Sequence, residues 1–205
     1  QNTRGVTGVH GVPPDFVRQQ VRAVFDDIPP SAIKIGMLGT VELIRTVARL
    51  LADYDGPVVL DPVMVATSGD PLLEADAEHA LIEELVPRAT VITPNLPEVA
   101  RILGTSDPST APADDLCRAW AAEHGCNLLV KGGHGRHDTV TDVLYLAGGR
   151  LHRWHHPRVA SRNTHGTGCT LSSAIAANLA RGVGVVASVS AGLDYVSALI
   201  ASSAG

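Results

Sequence analysis

Four short apolar runs divide this chain, and each ends in polar residues or glycine: Ala32 to Gly36 (AIKIG), Pro57 to Asp61 (PVVLD), Thr90 to Asn95 (TVITPN) and Asn127 to Gly133 (NLLVKGG). Runs of this length read as strands, and the stretches between them carry helical spacing. TVELIRTVARLLADY, residues 75–86, PEVARIL and DLCRAWAAEHG are the connecting helices. Strand–helix–strand repetition with short connections predicts an α/β fold with a mostly parallel, doubly wound sheet and helices on both faces. Aromatic residues are only 3% of the chain and hydrophobic residues 45%, so Val, Leu, Ile and Ala must build the core. A parallel sheet buried on both faces is the architecture that such a composition suits.

The pattern changes after the fourth strand. DVLYLAGGRLHRWHH predicts an antiparallel hairpin near residues 140–157, turning at Gly148-Gly149. Near the start, FVRQQVRAVFDDI follows Pro13-Pro14 and reads as a helix with Val17, Val21, Val24 and Ile28 on one face. Near the end, Val189, Leu193, Val196 and Ile200 recur at helical spacing in a stretch interrupted by Asp194, which reads as a packed helix rather than a membrane span. The net charge of −5 offers no basic surface for nucleic acid or an acidic membrane. Cys117, Cys126 and Cys169 form no CxxC pair, and QNTRGVTG has neither the basic start nor the apolar run of a secretory signal. A reduced, cytoplasmic setting is expected. His152, His155 and His156 alternate along the hairpin and read as a solvated edge, while His134 and His165 flank two glycine-containing turns.

In open α/β sheets, ligands bind beyond the carboxyl ends of the strands. Those ends carry Gly36-Met37, Asp61, Thr93-Pro94-Asn95 and Lys131-Gly132-Gly133. Acid, amide and ammonium at successive ends suit a metal and a polyphosphate. A further segment, Gly166-Thr167-Gly168-Cys169-Thr170, is neither a P-loop nor a dinucleotide fingerprint: no lysine follows its second glycine, and Leu171 stands at the third glycine position. Its glycines let backbone N–H groups face a ligand, and a helix expected from about Thr170 adds its positive end. Together they make an anion hole.

QNTRGVTGVHGVPPDFV, KIGML, VVLDPVMVATSGD, ITPNLPE, VKGGH and NTHGTGCT occur in this order and span almost the whole chain. In this it resembles the hydroxymethylpyrimidine and phosphomethylpyrimidine kinases of thiamine biosynthesis, within the ribokinase-like superfamily. The resemblance implies transfer of the γ-phosphoryl of ATP, with Mg²⁺, to a pyrimidine bearing a hydroxymethyl or phosphomethyl group. It implies that Gln1 reads the aminopyrimidine edge and that Met37 walls the ring. Asp61 and Glu98 would serve Mg²⁺, directly or through water, although Asn95-x-x-Glu98 is also a helix-capping spacing. Asn95, Lys131 and Thr164 would contact ATP, with Gly166, Thr167, Gly168 and Cys169 holding the γ-phosphoryl and the attacking oxygen. Related sugar kinases carry an aspartate base where this chain has Cys169.

The sequence also departs from that family. Its members usually begin with a strand and a GSDSGGGAG-type segment, which is not found upstream of Gln1, and Thr67 stands where a lysine is common. One kinase domain over 1–205, incomplete at both ends, is therefore expected. The resemblance admits a homodimer. Pyridoxal kinase and a noncatalytic pyrimidine- or nucleotide-binding fragment are the alternatives.

Overall fold

In the computed structural model, which describes residues 5–64, 73, 76–134, 138–159, 161 and 165–203, four strands pair in parallel. They are β1 (Ile33–Ile35), β2 (Val58–Leu60), β3 (Val91–Ile92) and β4 (Asn127–Val130). β5 (Thr139–Tyr145) and β6 (Leu151–Pro157) extend the sheet antiparallel, so its order is β1 to β6 without reversal. Gln1, Thr67 and Thr164 lie outside the described residues.

The pleat explains why β2 and β3 are apolar throughout and β4 after Asn127: residues on both faces are buried. Leu60, Ile92, Leu128 and Val130 face one core, packed by α2 (Val41–Leu50), α4 (Leu96–Leu103), α5 (Asp114–Glu123) and the helical segment beginning with α3 (Ala77–Ala80). The alternate residues Val59, Val91, Leu129 and Leu144 face a second core, packed by α6 (Thr167–Ala180) and α7 (Val185–Ser203). Full burial of each Val or Leu contributes about 1.5–3 kcal/mol. Helices therefore cover both faces, the second by a helix pair that follows the sheet in sequence.

α7 is long and apolar enough to cross a membrane by length and composition, yet Val189, Gly192 and Leu193 are buried. Gly192 lies so close to α6 that a Cβ there would meet Ile175 Cγ1 and Leu171 Cδ1 at 3.1 Å. That contact is the helix packing expected from the spacing.

Four local expectations change. In α1 (Pro14–Asp27) no residue is buried, and Val24 and Ile28 are exposed. The helix is anchored through Phe25, whose ring lies 5.8 Å from that of Tyr54, so its attachment is rotated from the Val17-Val21-Val24-Ile28 stripe. The helix expected over 75–86 narrows to α3 and then passes into a π-turn (Leu81–Leu85) and a 3₁₀ turn (Val86–Arg88). Pro87 lacks the N–H that would continue the α-helical ladder. α6 starts at Thr167 rather than near Thr170. Finally, β6 is less solvated than expected: α7 covers one face, where Trp154 Nε1 donates to Ser190 Oγ at 3.3 Å, and His156 Nε2 is buried.

Candidate active site

The same pleat that builds the second core also builds a polar layer. Asp61 stands two residues beyond Val59, Thr93 two beyond Val91, and Lys131 two beyond Leu129. In antiparallel β5, Asp142 stands two before Leu144. All four therefore share the α6 face of the sheet, one repeat past its apolar residues. Lys34 pairs in register with Val59 and points to this face as well. The parallel ladder continues to hold the strand ends in place: the N–H groups of Asp61, Thr93 and Lys131 donate to Ile35, Leu60 and Pro94 carbonyls, each at 2.9 Å.

Asp61, 2% exposed, is the hub. Lys131 Nζ donates to its Oδ1 at 3.2 Å and Thr93 Oγ1 to the same oxygen at 3.3 Å. Ser172 Oγ lies 3.2 Å from Oδ2, and Lys34 Nζ stands 3.8 Å from Oδ2. A carboxylate this deeply buried requires such partners, because desolvation otherwise opposes its charge.

The first turn of α6 rests on this group. A Cβ at Gly168 would lie 3.3 Å from Lys131 Nζ and 3.9 Å from Asp61 Oδ2, so a side chain there would press on the pair. Gly166 enters the helix at φ 82°, a left-handed conformation that glycine adopts without strain. An α-helix leaves its first-turn N–H groups without intrahelical acceptors, and its dipole makes that end positive. Thr167, Gly168 and Cys169 form this turn, with Cys169 exposed. Burial instead pushes the Cys117 thiol up to about 11 and the Cys126 thiol up to about 12.

On the far side of Lys131, Asn95 caps α4 in a full capping box: its side chain accepts from Glu98 N at 2.9 Å, and Glu98 Oε2 accepts from Asn95 N at 2.8 Å. Asn95 Oδ1 is thus committed, so a phosphate contact must come from Nδ2. Burial holds the Glu98 carboxyl above the usual range; Lys131 and the Asn95 N–H pull it down, and Asp61 pushes it up. Asp142 accepts from Gly132 N at 2.9 Å, and burial raises its carboxyl too.

Asp61, Glu98, Asn95, Lys131 and Gly168 are therefore brought together. Met37 lies beyond β1 and is 40% exposed. Lys34, Ser172 and Asp142 were not singled out from sequence. Lysine inside an apolar strand, aspartate inside another, and a serine four residues past Gly168 were the available signals. Both oxygens of Asp61 have protein partners, and Glu98 Oε2 belongs to its cap. This donor set fits a Mg²⁺ that keeps its waters better than one stripped of them.

Paired ammonium groups beside the open end of a helix, at the carboxyl ends of a mostly parallel sheet, make a site suited to an anionic group. Residues 1–205 match the family described as phosphomethylpyrimidine kinase. The chain belongs to that family. The hydroxymethylpyrimidine/phosphomethylpyrimidine kinase of Rhizobium meliloti is 47% identical over 98% of this chain and 75% of its own. The thiamine biosynthesis bifunctional protein ThiED of Geobacter sulfurreducens is 43% identical over 98% of this chain. The chain spans 41% of that protein and 25% of a multifunctional relative from Corynebacterium efficiens. Among solved structures, phosphomethylpyrimidine kinase from Clostridium difficile has a TM-score of 0.77 at 34% identity, covering 98% of this chain and 82% of that one. An ADP complex of Bacillus subtilis pyridoxal kinase has a TM-score of 0.79 at 32% identity, covering 89% and 69%.

Proposed function

We propose that the chain, as one domain over 1–205, phosphorylates 4-amino-5-hydroxymethyl-2-methylpyrimidine and above all its monophosphate at the expense of ATP, giving the diphosphate for thiamine diphosphate biosynthesis. The observation that carries this reading is the Asp61–Lys131 pair lying directly under Gly168 in the first turn of α6. Lys131 offsets charge on the transferring phosphoryl, and the N–H groups of the Gly166-Thr167-Gly168-Cys169 turn hold its oxygens. Asn95 and Thr164 hold the nucleotide; Gln1 and Met37 hold the pyrimidine. Asp61 and Glu98 are the residues that would hold a Mg²⁺, which would supply positive charge to the phosphate oxygens. Cys169 takes the place beside the attacking oxygen. A phosphate monoester is already anionic near neutral pH and needs little help from a base. A carboxylate in that place would repel both reactants.

The reading includes a cytoplasmic setting, small-molecule rather than nucleic-acid or membrane partners, and a homodimer as the assembly that light scattering tests. Mass spectrometry of products is the decisive experiment, with Mg-ATP and the alcohol, its monophosphate or pyridoxal in separate tubes. Diphosphate from the monophosphate tube, lost in Cys169→Ala, is the expected result. Product from pyridoxal alone would instead establish the second reading, pyridoxal kinase, which the similarity to the Bacillus subtilis structure favours.

A further inference from the structure

We propose that Lys34 is the ammonium that binds the anionic group of the acceptor, so that this chain distinguishes a phosphate monoester from the corresponding alcohol. The inference rests on the kinase reading above and assigns one residue to its acceptor specificity.

Lys34 is the only charged residue in the three-residue strand Ile33–Ile35, and its side chain is 20% exposed. It runs along the strand over Gly36, where a Cβ would lie 2.8 Å from Nζ. Glycine at 36 is what lets the ammonium reach the strand end. Asp61 is already supplied without it: Oδ1 accepts from Lys131 and Thr93, and Ser172 lies within hydrogen-bond distance of Oδ2. At 3.8 Å, Lys34 is an ion-pair neighbour of Oδ2 but not a hydrogen-bond donor to it. Among the described residues this is its one ionic partner, and an ammonium carries three donors.

Position decides which anion it meets. Lys131 stands on the side of Asp61 where Asn95 bridges to it and α4 is capped, the side read as nucleotide-binding. Lys34 stands on the opposite side, on the strand that leads into Met37, the residue read as walling the pyrimidine. Asp61 thus separates two ammonium groups, one facing the donor phosphates and one facing the acceptor. An alcohol acceptor has no charge for Lys34; a monophosphate presents one.

The test is equilibrium binding of the alcohol and of the monophosphate by titration calorimetry. The proteins are the wild-type chain, Lys34→Met, Lys34→Arg and Gly36→Ala, each shown folded by its thermal melt. The wild-type chain is expected to prefer the monophosphate. In Lys34→Met the preference falls about tenfold or more, the size of a lost charge-assisted hydrogen bond. Lys34→Arg keeps part of it. Gly36→Ala lowers it as well, because the added methyl displaces the ammonium while touching only the end of a flexible side chain. An equal loss for both ligands in Lys34→Met, or a wild-type chain with no preference, overturns the proposal. Steady-state kinetics on both acceptors are read separately. A wild-type chain that makes no product, yet prefers the monophosphate and loses that preference in Lys34→Met, refutes the kinase reading and leaves the role of Lys34 in binding supported.

Discussion

Asp61 bears the charge of two lysines while nearly closed to solvent, and substitutions there separate charge from hydrogen bonding. Asp61→Asn keeps the shape but leaves Lys131 and Lys34 without their counter-charge. Urea denaturation is expected to show a loss of about 3–5 kcal/mol. Ser172→Ala removes only a hydroxyl and is expected to cost about 1 kcal/mol in the same assay. Equal costs would mean that the charge is not what holds the layer together. Glu98 gives a prediction in pH. Burial raises its pKa in the folded chain, so the folded state holds the proton more tightly than the unfolded one. The contribution is full below the unfolded pKa and is lost as pH rises through the raised folded value. Glu98→Gln retains an acceptor for the Asn95 N–H. Its unfolding free energy should therefore decline less than that of the wild-type chain as pH rises from acid toward neutral. Polar residues at strand ends made Asp61 and Lys131 legible from sequence, whereas Glu98, inside α4, came with the family resemblance and the Asn95-x-x-Glu98 spacing. Lys34, Ser172 and Asp142 were not legible, because their role depends on which sheet face α6 covers, and residue spacing within a strand leaves that face unspecified.

At the scale of elements, the packing of α7 on α6 matters most to the site, since Gly192 meets α6 at Leu171 and Ile175, just past the glycine turn. Gly192→Val puts branched methyls where even a Cβ meets Ile175 and Leu171 at 3.1 Å. Overpacking of this kind costs about 1–3 kcal/mol. A lower melting temperature together with weaker ATP binding is expected; loss of stability with unchanged nucleotide affinity would show that α6 holds its first turn independently of α7. The alternation of strands and helices was readable because buried parallel strands and amphipathic helices have different periods. The start of α6 was misplaced by three residues because Gly166-Thr167-Gly168 has poor helix propensity. Packing on the Asp61–Lys131 pair overrides that propensity. The stripe on α1 had a helical period but only half of the right face: Val24 and Ile28 are exposed, and Phe25 makes the contact with Tyr54.

Over the whole molecule, the three thiols sort by depth. Cys117 and Cys126 are buried and their thiols are held at about 11 and about 12, whereas Cys169 is exposed at the site. A thiol-reactive chromophore near neutral pH should therefore modify one cysteine of the folded chain quickly and all three after denaturation, with Mg-ATP slowing the first. Fast modification of two or three in the folded chain would contradict the described core.

The polar layer sits one pleat beyond the apolar one on neighbouring strands, and this makes the site a matter of counting. Deleting a single residue from β2 would reverse the parity of Asp61 and send its carboxylate into the opposite core, away from Lys131 and Ser172. Removing a pair would keep the parity and shorten the reach. Viable length changes ahead of these charges should thus come in twos, so the strands act as a reading frame for the chemistry at their ends.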